Sequence, residues 1–231
     1  MNYDPVVRFL DKRNVLRNHH PYADNIQGMR EFDKLYAEAV EHTDMKYTVA
    51  RRDRFFNLYN ALDSVILLQG AVAECGCWKG LSSFILNTKL DTGGEGYHIF
   101  DSFEGISQPA RGDKHSKGDL ACSIEKVREN LAGFPSIEYH RGWIPESLNQ
   151  EPERLYRFVH IDLDLPDPTA GAFRYFSKRM VPGGIIVCDD YGSTGWVGTK
   201  DAVDRFIADA GLRSHALKLS TGQLILTSAH S

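Results

Sequence analysis

Four aspartates stand in two short motifs in the C-terminal half of the chain: Asp162 and Asp164 in HIDLDL (160–165), and Asp189 and Asp190 in VCDDY (187–191). Each motif follows an apolar run, 155–161 and 185–188, that reads as a buried strand. In a doubly wound sheet, ligands bind outside the carboxyl ends of the strands. Adjacent strands lie only about 5 Å apart, so these acids are expected to share one site. Clustered carboxylates repel one another unless a positive charge sits among them. An all-oxygen set suits a hard divalent cation, Mg2+, Mn2+ or Ca2+, rather than zinc. Such a cation can hold a substrate hydroxyl and lower its pKa, which makes an alcohol a competent nucleophile. The alternative for the same residues is that they cap loops and face water.

The stretch AVAECGCWKGLSS (71–83) supplies a second chemical signal. It reads as a strand, a glycine-bearing turn and the start of a helix, the arrangement that seats a nucleotide-like cofactor. Gly76 and Gly80 let the backbone bend and approach a ligand, and Ser82 adds a hydroxyl just inside the helix, where free N–H groups favour anionic ligand groups. A dinucleotide fingerprint needs Gly-x-Gly-x-x-Gly, whereas here three residues separate the two glycines. Glu74 at the strand end would repel a pyrophosphate but suits a cationic ligand. S-adenosylmethionine carries a sulfonium and an ammonium and no phosphate, so the turn favours it over NAD. Asp101, followed by Ser102, closes the next strand and is placed to accept from both ribose hydroxyls. Gly142 and Trp143 come where an adenine would lie, and Trp143 reads equally as a stacking residue or as core.

These residues need a scaffold, and the chain can build one. At 231 residues and 42% hydrophobic it can bury one sizeable core. A net charge of −4 gives no basic footprint for nucleic acid. No apolar run is long enough for a membrane span, and the N-terminus lacks the apolar core of a signal peptide. The four cysteines (Cys75, Cys77, Cys122, Cys188) are too few for a disulfide framework, and Cys75-x-Cys77 reads as small core residues beside a turn. A reducing, cytoplasmic setting is expected.

Periodicity predicts an irregular arm over 1–28, with solvated His19 and His20, then a helix through Met29, Phe32, Tyr36 and Ala39. A candidate flap at 42–50 and a helix through Phe55, Leu58 and Leu62 follow. Residues 1–50 are expected to form an N-terminal arm and helix, and 51–231 the catalytic domain. Strands are expected at 71–73, 97–100, 136–140, 155–161 and 185–188, with ProGlyGly (182–184) turning the chain into the last. Helices through Leu81 to Thr88, Leu120 to Leu131 and 169–180 alternate with them. AspThrGlyGly (91–94) ends the first of these, and Glu104 onward is a long charged loop. Thr199 is expected to cap a final helix ended by Gly211. Strands at 214–219 and 223–227, joined by SerThrGly, must be antiparallel. The fold class is therefore α/β, a doubly wound and mostly parallel seven-stranded sheet with a C-terminal antiparallel hairpin, the usual shape of a class I methyltransferase. Tyr191, Trp196, Arg111, Lys114, His115 and Lys117 are rim residues that could hold an acceptor or simply anchor loops.

Taken together, AECGCWKGLSS, FDSFEG (100–105), RGWIPESL (141–148), HIDLDLPDPT (160–169), VPGGIIVCDDYG (181–192) and KDAVDRF (200–206) resemble the macrocin O-methyltransferase family, bacterial enzymes that methylate sugar hydroxyls. The resemblance implies a S-adenosylmethionine-dependent, divalent-metal-dependent O-methyltransferase acting on a sugar or glycoside. It places Glu74, Gly76, Gly80 and Ser82 around the methionine part and Asp101 on the ribose. Asp162, Asp189 and Asp190 would bind the metal, with Asp162 also the general base. Pro166 stands where the family commonly has Tyr. A homodimer is left open. The rival readings are a catechol-type metal-dependent O-methyltransferase, an NAD-dependent oxidoreductase and a non-catalytic cofactor-binding scaffold.

Overall fold

The structure, a computed structural model, describes residues 26–46, 49–90 and 95–228. Its centre is a seven-stranded sheet of β1 (Ala71–Cys75), β2 (Tyr97–Asp101), β3 (Ile137–Arg141), β4 (Tyr156–Ile161), β5 (Met180–Cys188), β6 (Ala216–Lys218) and β7 (Leu224–Thr227). The spatial order is β3-β2-β1-β4-β5-β7-β6. Strands β1 to β5 pair in parallel, whereas β7 runs antiparallel to both β5 and β6. Every residue of β1 and β4 is buried, as expected of parallel strands covered on both faces.

Three helices, α3 (Leu81–Lys89), α4 (Ile124–Asn130) and α5 (Pro166–Phe176), make three of the four crossovers, a 3-10 turn (Glu146–Gln150) lies in the β3–β4 connection, and α6 (Thr199–Asp209) precedes the hairpin. At the N-terminal side, α1 (Ile26–His42) and α2 (Val49–Ala61) join α3 through an aromatic cluster in which Phe32 and Tyr36 pack with Phe55, Leu81 and Ile85. None of the described helices is long and apolar enough to cross a membrane.

Register is what makes a site of the strand ends. Cys75 pairs with Phe100 on one side and Ile161 on the other, and Ile161 pairs with Cys188. The next residue of each strand is then locked at the same level. Gly76 N–H donates to Phe100 O at 2.9 Å, Asp162 N–H to Cys75 O at 2.9 Å, Asp189 N–H to Ile161 O at 2.8 Å and Gly142 N–H to Asp101 O at 3.0 Å. The chain leaves β1 for β2 on one side while β4 flanks the other, so these ends meet at the topological switch point where such sheets bind ligands.

Several boundaries differ from expectation. Helix α5 starts at Pro166 rather than 169, because proline at the first helical position has its φ preset and needs no N–H partner. ProGlyGly lies within β5 as an irregularity, the pairing jumping from Tyr156–Met180 to Phe158–Ile185. Thr199 is the first residue of α6, not its cap. Left-handed Gly198 (φ 90°) occupies the cap, and the Thr199 hydroxyl donates instead to Asp164 O at 2.6 Å. Leu120 precedes α4, which is capped by Ser123 accepting from Lys126 N–H. The expected arm is described only from Ile26, where it is already helical. His19, His20 and residues 91–94 lie outside the described residues, as do two residues of the flap. Of the rest of that flap, Thr43 is buried and donates to Ala39 O at 2.7 Å, and Lys79 of the glycine turn reaches back to Asp44 O at 2.9 Å.

Candidate active site

The glycine turn follows β1 directly and is left-handed at Gly76 (φ 83°) and Gly80 (φ 89°). A Cβ on Gly76 would fall 1.9 Å from Asp162 O, so only glycine lets β1 and β4 approach this closely. Asp101 braces the turn from β2. Its Oδ2 accepts from Cys77 N–H at 2.8 Å and its Oδ1 from Phe103 N–H at 2.7 Å. Ser102 Oγ accepts from Glu104 N–H at 3.1 Å.

These residues open onto a cavity of about 370 Å3 at the sheet edge. Gly76, Trp78, Asp101 and Ser102 line it together with Gly142, Trp143, Asp162 and Asp164. Trp143 is 40% exposed on this wall, which removes core packing as its role. Gly80 and Ser82 do not reach the cavity. Gly80 packs on Leu131, where a Cβ would lie 3.1 Å from its Cδ1, and Ser82 is buried in the first turn of α3.

Glu74 is not a wall residue either. Alternation along β1 sends its side chain into the interior, where it is fully buried. It accepts a short hydrogen bond from the Ser83 hydroxyl and another from Tyr97 Oη at 2.8 Å, and His160 Nδ1 lies 3.1 Å from Oε1. The cation expected beside Glu74 is therefore supplied from within the fold. Burial alone would lower the His160 pKa, but Asp189 and Glu74 on either side lift it to about 10, so the imidazole is charged at neutral pH.

The acids regroup as well. Carboxylate oxygens of Asp162, Asp164 and Asp190 all lie within 4.8 Å of one another, and Asp164 N–H donates to Asp190 Oδ2 at 2.9 Å. Asp189, expected in this set, points away. Successive residues of an extended segment face opposite sides, so Asp189 and Asp190 do not share a face. Asp189 Oδ1 accepts from Gln223 Nε2 at 2.7 Å, Oδ2 pairs with Arg54 Nη2 at 2.5 Å, and His160 Nε2 stands 3.8 Å away. Burial raises the Asp189 pKa, yet His160, Arg54 and Gln223 outweigh it and hold the carboxyl below its usual range. Asp190 has the opposite balance: burial, then the charges of Asp162, Asp164 and Asp189, push it well above that range. Arg54 Nη2 also lies 3.8 Å from Asp190 Oδ1 and partly offsets this concentration of negative charge.

Arg54 and Gln223 escaped the sequence reading. Arg54 is 135 residues from Asp189, and Gln223 is 34 away, so no local pattern joins them. Of the rim residues, Tyr191 is buried with its hydroxyl on Asp204 Oδ1 at 2.8 Å. Trp196 is buried with Ile106 and Leu165 and stacks on His115. Both anchor the loops over the cavity rather than face it. The long loop is also tied down, Lys114 N–H donating to Gly195 O and Asp113 Oδ1 accepting from Val197 N–H.

The strand order, the terminal antiparallel pair and a ligand cavity at the β1–β4 switch are those of class I methyltransferases. The solved O-methyltransferase NovP superposes with a TM-score of 0.66 at 22% identity, covering 77% of this chain and 80% of its own. The calicheamicin methyltransferase CalS11 does so at 0.64 and 17%, covering 90% and 94%. Residues 4–221 match the macrocin-O-methyltransferase (TylF) family model, and the chain belongs to that family. It is 27% identical over 164 residues to the 8-demethyl-8-(2,3-dimethoxy-alpha-L-rhamnosyl)-tetracenomycin-C 4'-O-methyltransferase of Streptomyces olivaceus, covering 63% of this chain and 62% of that relative's length. It is 25% identical over 201 residues to the demethyldecarbamoylnovobiocin O-methyltransferase of Streptomyces niveus, covering 76% and 75%.

Proposed function

We propose that the protein transfers a methyl group from S-adenosylmethionine to a hydroxyl of a sugar or glycoside, with a divalent cation at the acid cluster. The observation that carries this reading is that one cavity is lined both by Gly76 and Asp101 and by Asp162 and Asp164. A ligand seated on the glycine turn would thus end beside carboxylates. The cavity lies in the size range of small-molecule sites. The relatives named for methylating a rhamnosyl-tetracenomycin, demethyldecarbamoylnovobiocin and mycinamicin III favour a glycoside acceptor.

The residues present fit the cofactor. Gly76 leaves its backbone bare, Asp101 offers carboxylate oxygens to a ribose, and Trp143 offers a ring face at the wall to an adenine. S-adenosylmethionine supplies, when bound, an electrophilic methyl group on its sulfonium. The oxygen-only set of Asp162, Asp164 and Asp190 fits a hard divalent cation such as Mg2+, which would lower the pKa of an acceptor hydroxyl. Asp162 accepts the proton from that hydroxyl, and the walls align it for in-line displacement. Arg54 and Gln223 hold Asp189, while Asp190 accepts from the Asp164 N–H. Four free thiols, three of them buried, suit a reducing, cytoplasmic setting.

Methyl-labelled S-adenosylmethionine offered with parallel panels of glycosides and catechols, with Mg2+ or with EDTA, tests the reading. Label is expected in a glycoside, and only with Mg2+. Label in catechols alone would overturn the acceptor class, and an undiminished rate in EDTA would overturn the metal.

A further inference from the structure

Glu74 faces the interior beside His160, so the sulfonium of a bound S-adenosylmethionine needs another partner. A sulfonium has no N–H or O–H to donate. Its charge is met by carboxylates nearby or by the negative face of an aromatic ring. The glycine turn carries such a ring. Trp78 is half-buried and lines the cavity together with Gly76 and Asp101. The cavity is set for positive charge: Asp101, Glu146, Asp162, Asp164 and Asp167 line it, and none of the described residues lining it is Lys, Arg or His.

The backbone at Trp78 is left-handed, with φ 47°, a region that crowds any side chain with a Cβ. Its neighbours enforce this conformation. Cys77 N–H donates to Asp101 Oδ2 at 2.8 Å, and Trp78 N–H reaches the same oxygen at 3.4 Å. Gly80 N–H donates to Cys77 O at 2.7 Å. Asn130, itself 6% exposed, donates from Nδ2 to Lys79 O at 2.9 Å. Backbone strain held by its surroundings clusters at ligand-contacting positions, and glycine here would relieve it but carry no ring. The adjacent cation is drawn away from the cavity: Lys79 Nζ donates to Asp44 O at 2.9 Å and lies 5.9 Å from the Trp78 ring centroid, the outer limit of a cation–π contact. The indole has a second face. In the proposed cofactor site Asp101 holds the ribose, and the sulfonium is one methylene from that ring. The carboxylate that would fix the ribose is therefore the one that brackets Trp78.

We propose that Trp78 recognises the sulfonium, its ring lying against the charged sulfur and favouring S-adenosylmethionine over the neutral thioether S-adenosylhomocysteine. This rests on the cofactor reading above and adds a selectivity to it. When the methyl group leaves, the S–C electron pair stays on sulfur and the positive charge disappears. The attraction of the ring goes with it, so the residue that retains the substrate loosens the product.

Calorimetry of the full-length protein with S-adenosylmethionine and, separately, with S-adenosylhomocysteine, at one pH and salt concentration, tests this. Trp78→Leu keeps an apolar side chain and the same backbone demand. It should cut the preference for the charged ligand by about 2–30-fold, the usual size of a cation–π contact. Trp78→Asn, a residue tolerated in left-handed backbone, should do the same in a chain whose circular dichroism matches the wild type. Trp78→Phe, which keeps a ring, should retain part of the preference. An equal loss for both ligands in the Leu and Asn variants, or a preference unchanged from the wild type, would overturn the role of Trp78 and leave the cofactor reading standing. Binding of neither ligand by the wild type would overturn that reading, and the role of Trp78 with it.

Discussion

Replacing His160 with Gln should destabilise the fold by about 3–5 kcal/mol, the usual effect of removing one partner from a buried ion pair. His160 is 1% exposed and lies between Glu74 and Asp189, 3.1 Å from the first and 3.8 Å from the second. The two acids differ in what they would have left. Asp189 keeps Arg54 and Gln223, whereas Glu74, fully buried, keeps only the hydroxyls of Ser83 and Tyr97. The cost therefore falls mainly on Glu74. In a chain of this length each kcal/mol moves the thermal midpoint by about 2–4 °C, so a loss of roughly 6–20 °C is expected by circular dichroism at pH 7. Adding Glu74→Gln should recover part of it, giving a coupling of about 0.5–3 kcal/mol in the double-mutant cycle. The pH dependence has a definite sign. The folded pKa is raised above 6.5 to about 10, so the stabilisation is complete below pH 6.5 and is lost as pH rises through about 10. The gap between wild type and variant should close over that window. A variant melting within about 2 °C of wild type, or a gap unchanged from pH 6.5 to 10, would refute the reasoning.

Three further outcomes follow from the same geometry. Gly76→Ala should abolish S-adenosylhomocysteine binding by calorimetry and lower stability, since its left-handed φ costs about 1–2 kcal/mol and its Cβ would strike the backbone at Asp162. Asp101→Asn should weaken the same binding about 10–100-fold, the worth of hydrogen bonds to a charged group; unchanged affinity would remove Asp101 from the cofactor. Arg54→Met should lower stability by about 1–3 kcal/mol through Asp189 and leave S-adenosylhomocysteine affinity intact, because Arg54 does not line the cavity.

Local signals carried the fold further than the site. Apolar runs bounded by acids and glycines located β1, β2, β4 and β5, whose runs are buried, whereas β3 is a half-exposed edge strand. SerThrGly sufficed to orient the final pair. The candidate cavity was partly legible too: Gly76, Asp101, Ser102, Gly142, Trp143 and Asp162 all line it, since residues just past parallel strand ends share an edge. Direction was harder. Glu74 turns inward and Asp189 sideways, and Asp164 takes the place expected for Asp189. These choices depend on partners supplied by distant elements, His160, Arg54 and Gln223, that no local spacing encodes.

The most direct test is Asp162→Asn, assayed for methyl transfer to a glycoside and, separately, for S-adenosylhomocysteine affinity. With Asp162 as the proton acceptor beside the cofactor, turnover should disappear while affinity stays close to that of the wild type. Near-normal turnover in this variant would contradict the assignment of both the base and the metal site.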